Sequence, residues 1–281
     1  MMTEQSQGGN DVVRTQAFDT DGPVELDVDV TAGTVEVRLT DDPGVSVEVR
    51  RSHAGTPSWA ESAAGMLNWV GEMFGGQAGP LASPADTVKE VRIEKLGDRV
   101  VVRGPKAPPP IGSPLAVTVR APAASHVRAR TRLAGVTVRG VCGRADISTG
   151  SGSVTLDQAT DTTTVRTSSG EIDIATLSGP ATVNGGSGGV RLGEVSDTVL
   201  VRTTSSEIIV SEAASGAVEA ISGTGDIRLG VRRGVAAEID LSSGGGTVHS
   251  DLEVSDTPPD EPTALSIRAR SGAGRVVVTR A

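Results

Sequence analysis

Tyrosine is absent, and the chain carries only two Phe and two Trp. Proteins that hold sugars or unpaired bases usually stack them on aromatic rings, so this composition speaks against both ligands. A single cysteine, Cys142, excludes an internal disulfide and has no thiol neighbour with which to share a metal. The histidines, His53, His126 and His249, stand far apart, with no HxxxH or HxH spacing to suggest zinc. Lysine occurs only at Lys89, Lys95 and Lys106, and the net charge is −9. A binder of nucleic acid needs a basic surface, so no nucleic-acid partner is expected. No run approaches the roughly 18 apolar residues of a membrane helix, so no transmembrane segment is expected. The start, MMTEQSQGGND, lacks the cationic and apolar regions of a secretory signal, and a cytoplasmic location is expected.

What the chain has is repetition. Aligning on the apolar residue after each Gly- or Ser-rich turn gives Val136, Val154, Ile172, Val190 and Ile208 at 18-residue intervals. Ile227, Val248 and Val276 continue the column at wider spacing. A second column precedes the turns: Ile147, Val165, Val183, Val201, Val218, Ile239 and Ile267. In EIDI, Ile172 and Ile174 face one way, and Glu171 and Asp173 the other. Period-two alternation of β-branched residues predicts half-buried strands, and the Gly and Ser between them predict tight corners. One such unit cannot bury its apolar side, but stacked units can. The predicted fold is all-β: a parallel β-solenoid-like repeat of about 18 residues per coil. The alternative is an antiparallel β-sandwich, whose turns also recur regularly.

The pattern places a tail at 1–16 and a single β-repeat domain at 17–281, with Pro-rich loops at 104–114 and 251–263. One segment breaks the alternation. Thr56 to Gly76 predicts an inserted amphipathic α-helix over 57–76, with a capping box from Ser58 and Glu61. Its apolar face carries Trp59, Met66, Trp69, Val70, Met73 and Phe74. That face is either a structural cap on the stack or a docking surface for a protein partner or a second copy. Its polar face lacks Lys and Arg, so contact with a membrane surface is not expected.

The succession of TAGTVEV, LAVTVRAP and tandem TSSGEIDI-type units resembles the bacterial candidate-adhesin family of β-strand repeats, the toastrack domains. The resemblance spans about residues 17–55 and 90–281. It implies a β-repeat scaffold, often found with envelope-stress membrane proteins, and brings no catalytic residues.

The search for chemistry finds little. SGTGDIRLG (Ser222 to Gly230) has one Asp where a calcium repeat needs converging carboxylates, so a corner turn is the simpler reading. The GGSGG run at 185–189 lacks the Lys and helix of a phosphate loop. Glu171, Asp173 and Asp226 are outward acids with no sign of a cleft or a raised pKa. Arg128, Arg130 and Arg132 alternate and would share a strand face, either as an anion-binding stripe or paired with acids of adjacent coils. The expectation is therefore a non-enzymatic interaction scaffold without metal or cofactor, acting through a protein partner or self-association. The alternative is a protein that binds a carbohydrate or another cell-envelope polymer.

Overall fold

The structure is a computed structural model, and it describes residues 13–52, 84–105, 114–252 and 263–281. The expected helix over 57–76, with Trp59, Met66, Trp69, Val70, Met73 and Phe74, lies outside the described residues. So do most of the loops 104–114 and 251–263.

Seven strands precede the regular repeat: β1 (Arg14–Phe18), β2 (Glu25–Thr40), β3 (Val45–Arg51), β4 (Arg92–Leu96), β5 (Arg99–Arg103), β6 (Leu115–Pro122) and β7 (His126–Cys142). A short helix, α1 (Pro84–Lys89), comes before β4 and buries Val88. From Ala145 onward each coil contributes one strand to a front face and the next to a back face. The pairs are β8 (Ala145–Thr149) with β9 (Val154–Ala159), β10 (Thr163–Thr167) with β11 (Ile172–Leu177), and β12 (Ala181–Gly185) with β13 (Val190–Val195). They continue as β14 (Val199–Thr203) with β15 (Ile208–Ala213), β16 (Gly216–Ser222) with β17 (Ile227–Val231), β18 (Ala237–Ser243) with β19 (Val248–Ser250), and β20 (Leu265–Ser271) with β21 (Val276–Arg280).

Each strand stacks in parallel on its equivalent one coil away, at the strand spacing of about 4.8 Å. Val136, Val154, Ile172, Val190, Ile208 and Ile227 sit in one register on the back face. Ile147, Val165, Val183, Val201 and Ala220 do the same on the front, whereas Val218, expected in this column, is the register partner of Val199. All these residues are essentially inaccessible to solvent, and both faces feed one hydrophobic core. Burying a Val, Leu or Ile contributes on the order of 2 kcal/mol, so every rung is held by the rungs on either side of it. The parallel solenoid expected from the sequence is the observed architecture. The antiparallel sandwich is not supported: among the described strands, antiparallel pairing is confined to β1–β3, β3–β6 and β4–β5 at the N-terminal end.

The structure corrects three details. β1 begins at Arg14, inside the stretch 1–16 expected as a tail. The stacking order also departs from the sequence order at the C-terminal end. Ile267 lies between Val218 and Ile239, and Val276 between Ile227 and Val248. The last coil in the chain is thus the second-last in the stack. Burial explains the exchange. β20 and β21 present Leu265, Ile267, Ala269, Val276 and Val278 inward, all buried. β18 and the three-residue β19 are more polar and take the edge, where Val248 is 46% exposed. A short strand at the edge also limits unwanted pairing.

The third detail concerns the N-terminal end. β2 pairs with β5 and β6 on one side and with β7 on the other, so an early strand is interleaved between later ones. β2 and β7 each run from the front face around a corner to the back without a break, which joins both faces into one sheet. β2 turns at Gly33 (φ 121°), where a Cβ would fall 1.9 Å from the carbonyl oxygen of Leu115.

The corners use a recurring hydroxyl. The last front-strand residue accepts a hydrogen bond from the amide of a glycine three residues on: Thr149 from Gly152, Thr167 from Gly170, Ser222 from Gly225 and Ser271 from Gly274, at 2.8–3.0 Å. These glycines stack on the carbonyls of the coil below. A Cβ on Gly188 would lie 2.1 Å from the carbonyl oxygen of Gly170, whereas a Cβ on neighbouring Gly189 meets nothing. Gly188→Ala is therefore expected to destabilise the chain by about 2–4 kcal/mol through backbone displacement. Gly189→Ala should remain within about 0.5 kcal/mol of the parent. Urea denaturation of the two variants checks this.

Candidate functional site: an arginine row on the front face

The outward side of the front face can be followed rung by rung through the strand register. At one level it reads Arg92, Arg103, Asp29, Arg130, Ser148, Arg166, Asn184, Arg202, Ile221, Arg270 and Ser242. From Arg130 onward an arginine falls on every second rung, with a neutral residue between. Two rungs span about 9.6 Å. Arg130, Arg166 and Arg202 are exposed, and among the described residues they form no ion pair. The flanking outward level reads Arg128, Asp146, Thr164, Thr182, Leu200 and Glu219, and Asp146 is held by Arg128 rather than by the row.

At the N-terminal end the row opens into a groove of about 800 Å³. Arg92, Arg103, Arg130 and Arg132 line it, with Asp29 and Glu90 as the acids. Two of these arginines are already engaged: Arg103 contacts Asp29 at 3.4 Å and Asp27 at 3.1 Å, and Arg92 contacts Glu94 at 3.5 Å. Asp27 is 1% exposed although it points away from the core, because Arg99 and Arg103 both fold over it. Its Oδ2 accepts from both guanidinium groups, while its Oδ1 has no partner. The carboxylate thereby fixes two arginines beside the groove.

The stripe expected at Arg128, Arg130 and Arg132 is divided by the fold. Arg128 is neutralised by Asp146 at 3.2 Å and Glu25 at 3.8 Å. Arg130 stays unpaired on the front face, and Arg132 lies past Thr131 where β7 begins to round the corner. Arg166 and Arg202 were not singled out from the sequence, yet a signal was present: each follows the previous member of the row by two repeats.

The back face is charged differently. Glu171 pairs with Arg191 at 3.6 Å, Glu207 pairs with Arg228, and Glu194 and Glu212 both hold Arg232. The hydrogen bond from Arg38 holds the Glu36 carboxyl below its usual pKa. Asp226 accepts from the amide of Arg275 at 2.8 Å and so closes a corner, as the plain reading of SGTGDIRLG expected. Cys142 is buried, and desolvation pushes its thiol up to about 12. His249 contacts Asp251, just past its own strand, at 2.6 Å. Among the described residues no three His, Cys, Asp or Glu side chains converge as metal ligands, and no helix is long and apolar enough to cross a membrane.

The stacked TSSGEIDI-type coils are matched by the family model Toastrack DUF4097 over residues 129–277. The chain belongs to the toastrack family. The match begins at β7 and ends in β21, so it covers every regular coil. Among solved structures, this toastrack chain is similar to a candidate adhesin from Bacteroides fragilis. The identity is 9%, the alignment covers 95% of this chain and 97% of that one, and the TM-score is 0.52. At that identity the likeness shows the fold alone. A candidate adhesin from Parabacteroides merdae matches at 11% identity over 96% and 97% of the two chains, with a TM-score of 0.48. No curated protein matches the chain significantly.

Two outcomes follow from the side-chain geometry. Asp27→Ala should destabilise the chain by about 2 kcal/mol, less than the loss for a fully buried pair because both arginines are partly hydrated. Asp146→Ala should cost under about 1 kcal/mol. Thermal and urea unfolding measure the difference. Native Cys142 should resist a thiol reagent at pH 8, because burial leaves almost no thiolate, and should react at once in denaturant.

Proposed function

We propose that this toastrack chain is a non-catalytic scaffold that presents its front face to a partner of opposite charge. The observation that carries the reading is the row Arg130, Arg166 and Arg202, exposed and unneutralised in a chain of net charge −9. Surface arginines of a strand repeat are readily balanced by acids of the next coil, as they are on the back face. A row left without that balance creates a local positive strip that attracts anions despite the overall charge. The stack supplies rigidity, so the guanidinium groups are held at fixed separations before anything binds. The adhesin description of the Bacteroides fragilis protein is consistent with a surface that binds rather than reacts. An envelope-stress connection, implied by the resemblance in sequence, would fit the same reading.

The test is chromatographic. At low salt the full chain should be retained on phosphocellulose in spite of its net negative charge. Arg130→Ser/Arg166→Ser/Arg202→Ser should flow through, with an unchanged circular dichroism spectrum. A parent protein that also flows through would overturn the reading.

A further inference from the structure

We infer that the front-face row receives a linear acidic polysaccharide carrying one anionic group per disaccharide. The inference rests on the reading above and names the partner's class. Three observations carry it.

The first is periodicity. Arg130, Arg166 and Arg202 stand on one line along the stack axis, with Ser148 and Asn184 between them. Their separation is two rungs, about 9.6 Å, and the line continues through Ile221 to Arg270. Only a linear partner laid along the axis meets every member. An extended disaccharide advances a chain by a closely similar length, so a glycan with one carboxylate or sulfate per disaccharide offers each arginine a charge in turn. A nucleic-acid strand places a phosphate on every nucleotide and a polyphosphate on every unit. Both are too finely spaced to match the row one to one.

The second is the absence of stacking platforms. Phe18 is the only Phe, Trp or Tyr among the described residues, and it packs against the core. Among the described residues a neutral glycan laid on this face would find nothing to stack on, and neither would unpaired bases. Recognition along this face therefore has to come from charge and hydrogen bonding. The neutral positions suit a sugar: Ser148, Asn184, Thr164 and Thr182 offer hydroxyls and an amide between the arginines.

The third is the groove. At the N-terminal end of the row Arg130 and Arg132 share an open hollow of about 800 Å³ with Arg103. Asp29 and Glu90 line it too and Arg103 is held by Asp27 and Asp29, so Arg130 and Arg132 are the arginines it presents to a polymer leaving the face. An envelope polysaccharide is met outside the cytoplasm, so this inference parts from the cytoplasmic location expected from the sequence.

The experiment is fluorescence-anisotropy titration of the full chain with labelled hyaluronate decasaccharide, a dT20 oligonucleotide, polyphosphate and neutral dextran. Hyaluronate should bind most tightly. Its affinity should fall as salt rises, but more gently than that of dT20, whose closely spaced phosphates release condensed counterions. Arg130→Ser/Arg166→Ser/Arg202→Ser should weaken binding about tenfold or more. A shift variant, Ser148→Arg/Arg166→Ser, keeps the net charge but breaks the two-rung spacing. It should lose affinity for hyaluronate while keeping its retention on phosphocellulose. Equal or tighter binding of dT20 or polyphosphate would overturn the glycan assignment, and so would a shift variant that binds hyaluronate like the parent. Retention on phosphocellulose with no binding of hyaluronate would overturn this inference and leave the scaffold reading standing.

Discussion

The close stacking of corners governs this molecule. Rungs of a parallel sheet repeat at about 4.8 Å, and the chain must reverse direction twice within that thickness. At Gly152, Gly170 and Gly188 the backbone of one coil rests on the carbonyl of the coil beneath, with no room for a Cβ. At Gly152 and Gly170 the preceding Thr149 and Thr167 satisfy the corner amide that the turn would otherwise leave unpaired. Everything else follows from that fit. With the corners in register, the inward Val and Ile columns coincide and the core closes. The outward residues are then drawn up into straight lines, and those lines are the only surfaces the fold has to offer.

Both ends of the stack show how such a repeat avoids unravelling. A coil at the end has one neighbour where an inner coil has two, and it frays first. β2, β20 and β21 are not left in that position. β2 is enclosed between β5 and β6 on one side and β7 on the other, and β20 and β21 are enclosed between β16 and β17 and the outer coil. The segments placed outermost are short or antiparallel ones, namely β19, β1 and β4. Enclosing β2, β20 and β21 trades simplicity of folding for a better-anchored stack, since the interleaved strands close longer loops.

The repeat was legible because its signal is local. Val154, Ile172, Val190 and Ile208 announce themselves by alternation and constant spacing, and both survive in any order of stacking. The exchange of the last two coils was not legible. Ile239 and Ile267 occupy equivalent places in their own repeats, and only the comparative polarity of AEIDLSS and LSIRARS distinguishes edge from interior. The burial of Asp27 was equally hidden: the alternation of PVELDVDV puts it outside, and two arginines from a strand far along the chain cover it. The same non-locality divided the HVRARTR stripe. Asp146, one coil on, claims Arg128, whereas Arg130 faces Ser148 and is left free.

The spacing of the arginine row has a competing structural explanation. Like charges directly opposite one another on adjacent rungs repel, so a neutral residue between two arginines relieves the strain. Were that the whole cause, the simplest remedy would be an acid, which turns repulsion into attraction. The back face adopts it: Asp173 is the register partner of Arg191, which also contacts Glu171, and Arg228 meets Glu207. The front face has Ser148 and Asn184 in those places, which separate the charges without cancelling them. At two rungs apart the guanidinium groups are also separated by more than the Debye length of about 8 Å at physiological salt, so their mutual repulsion is small. The row therefore keeps its charge available at little cost to stability. Tolerance of repulsion accounts for the gaps, and the lack of acids within them is what a binding role explains.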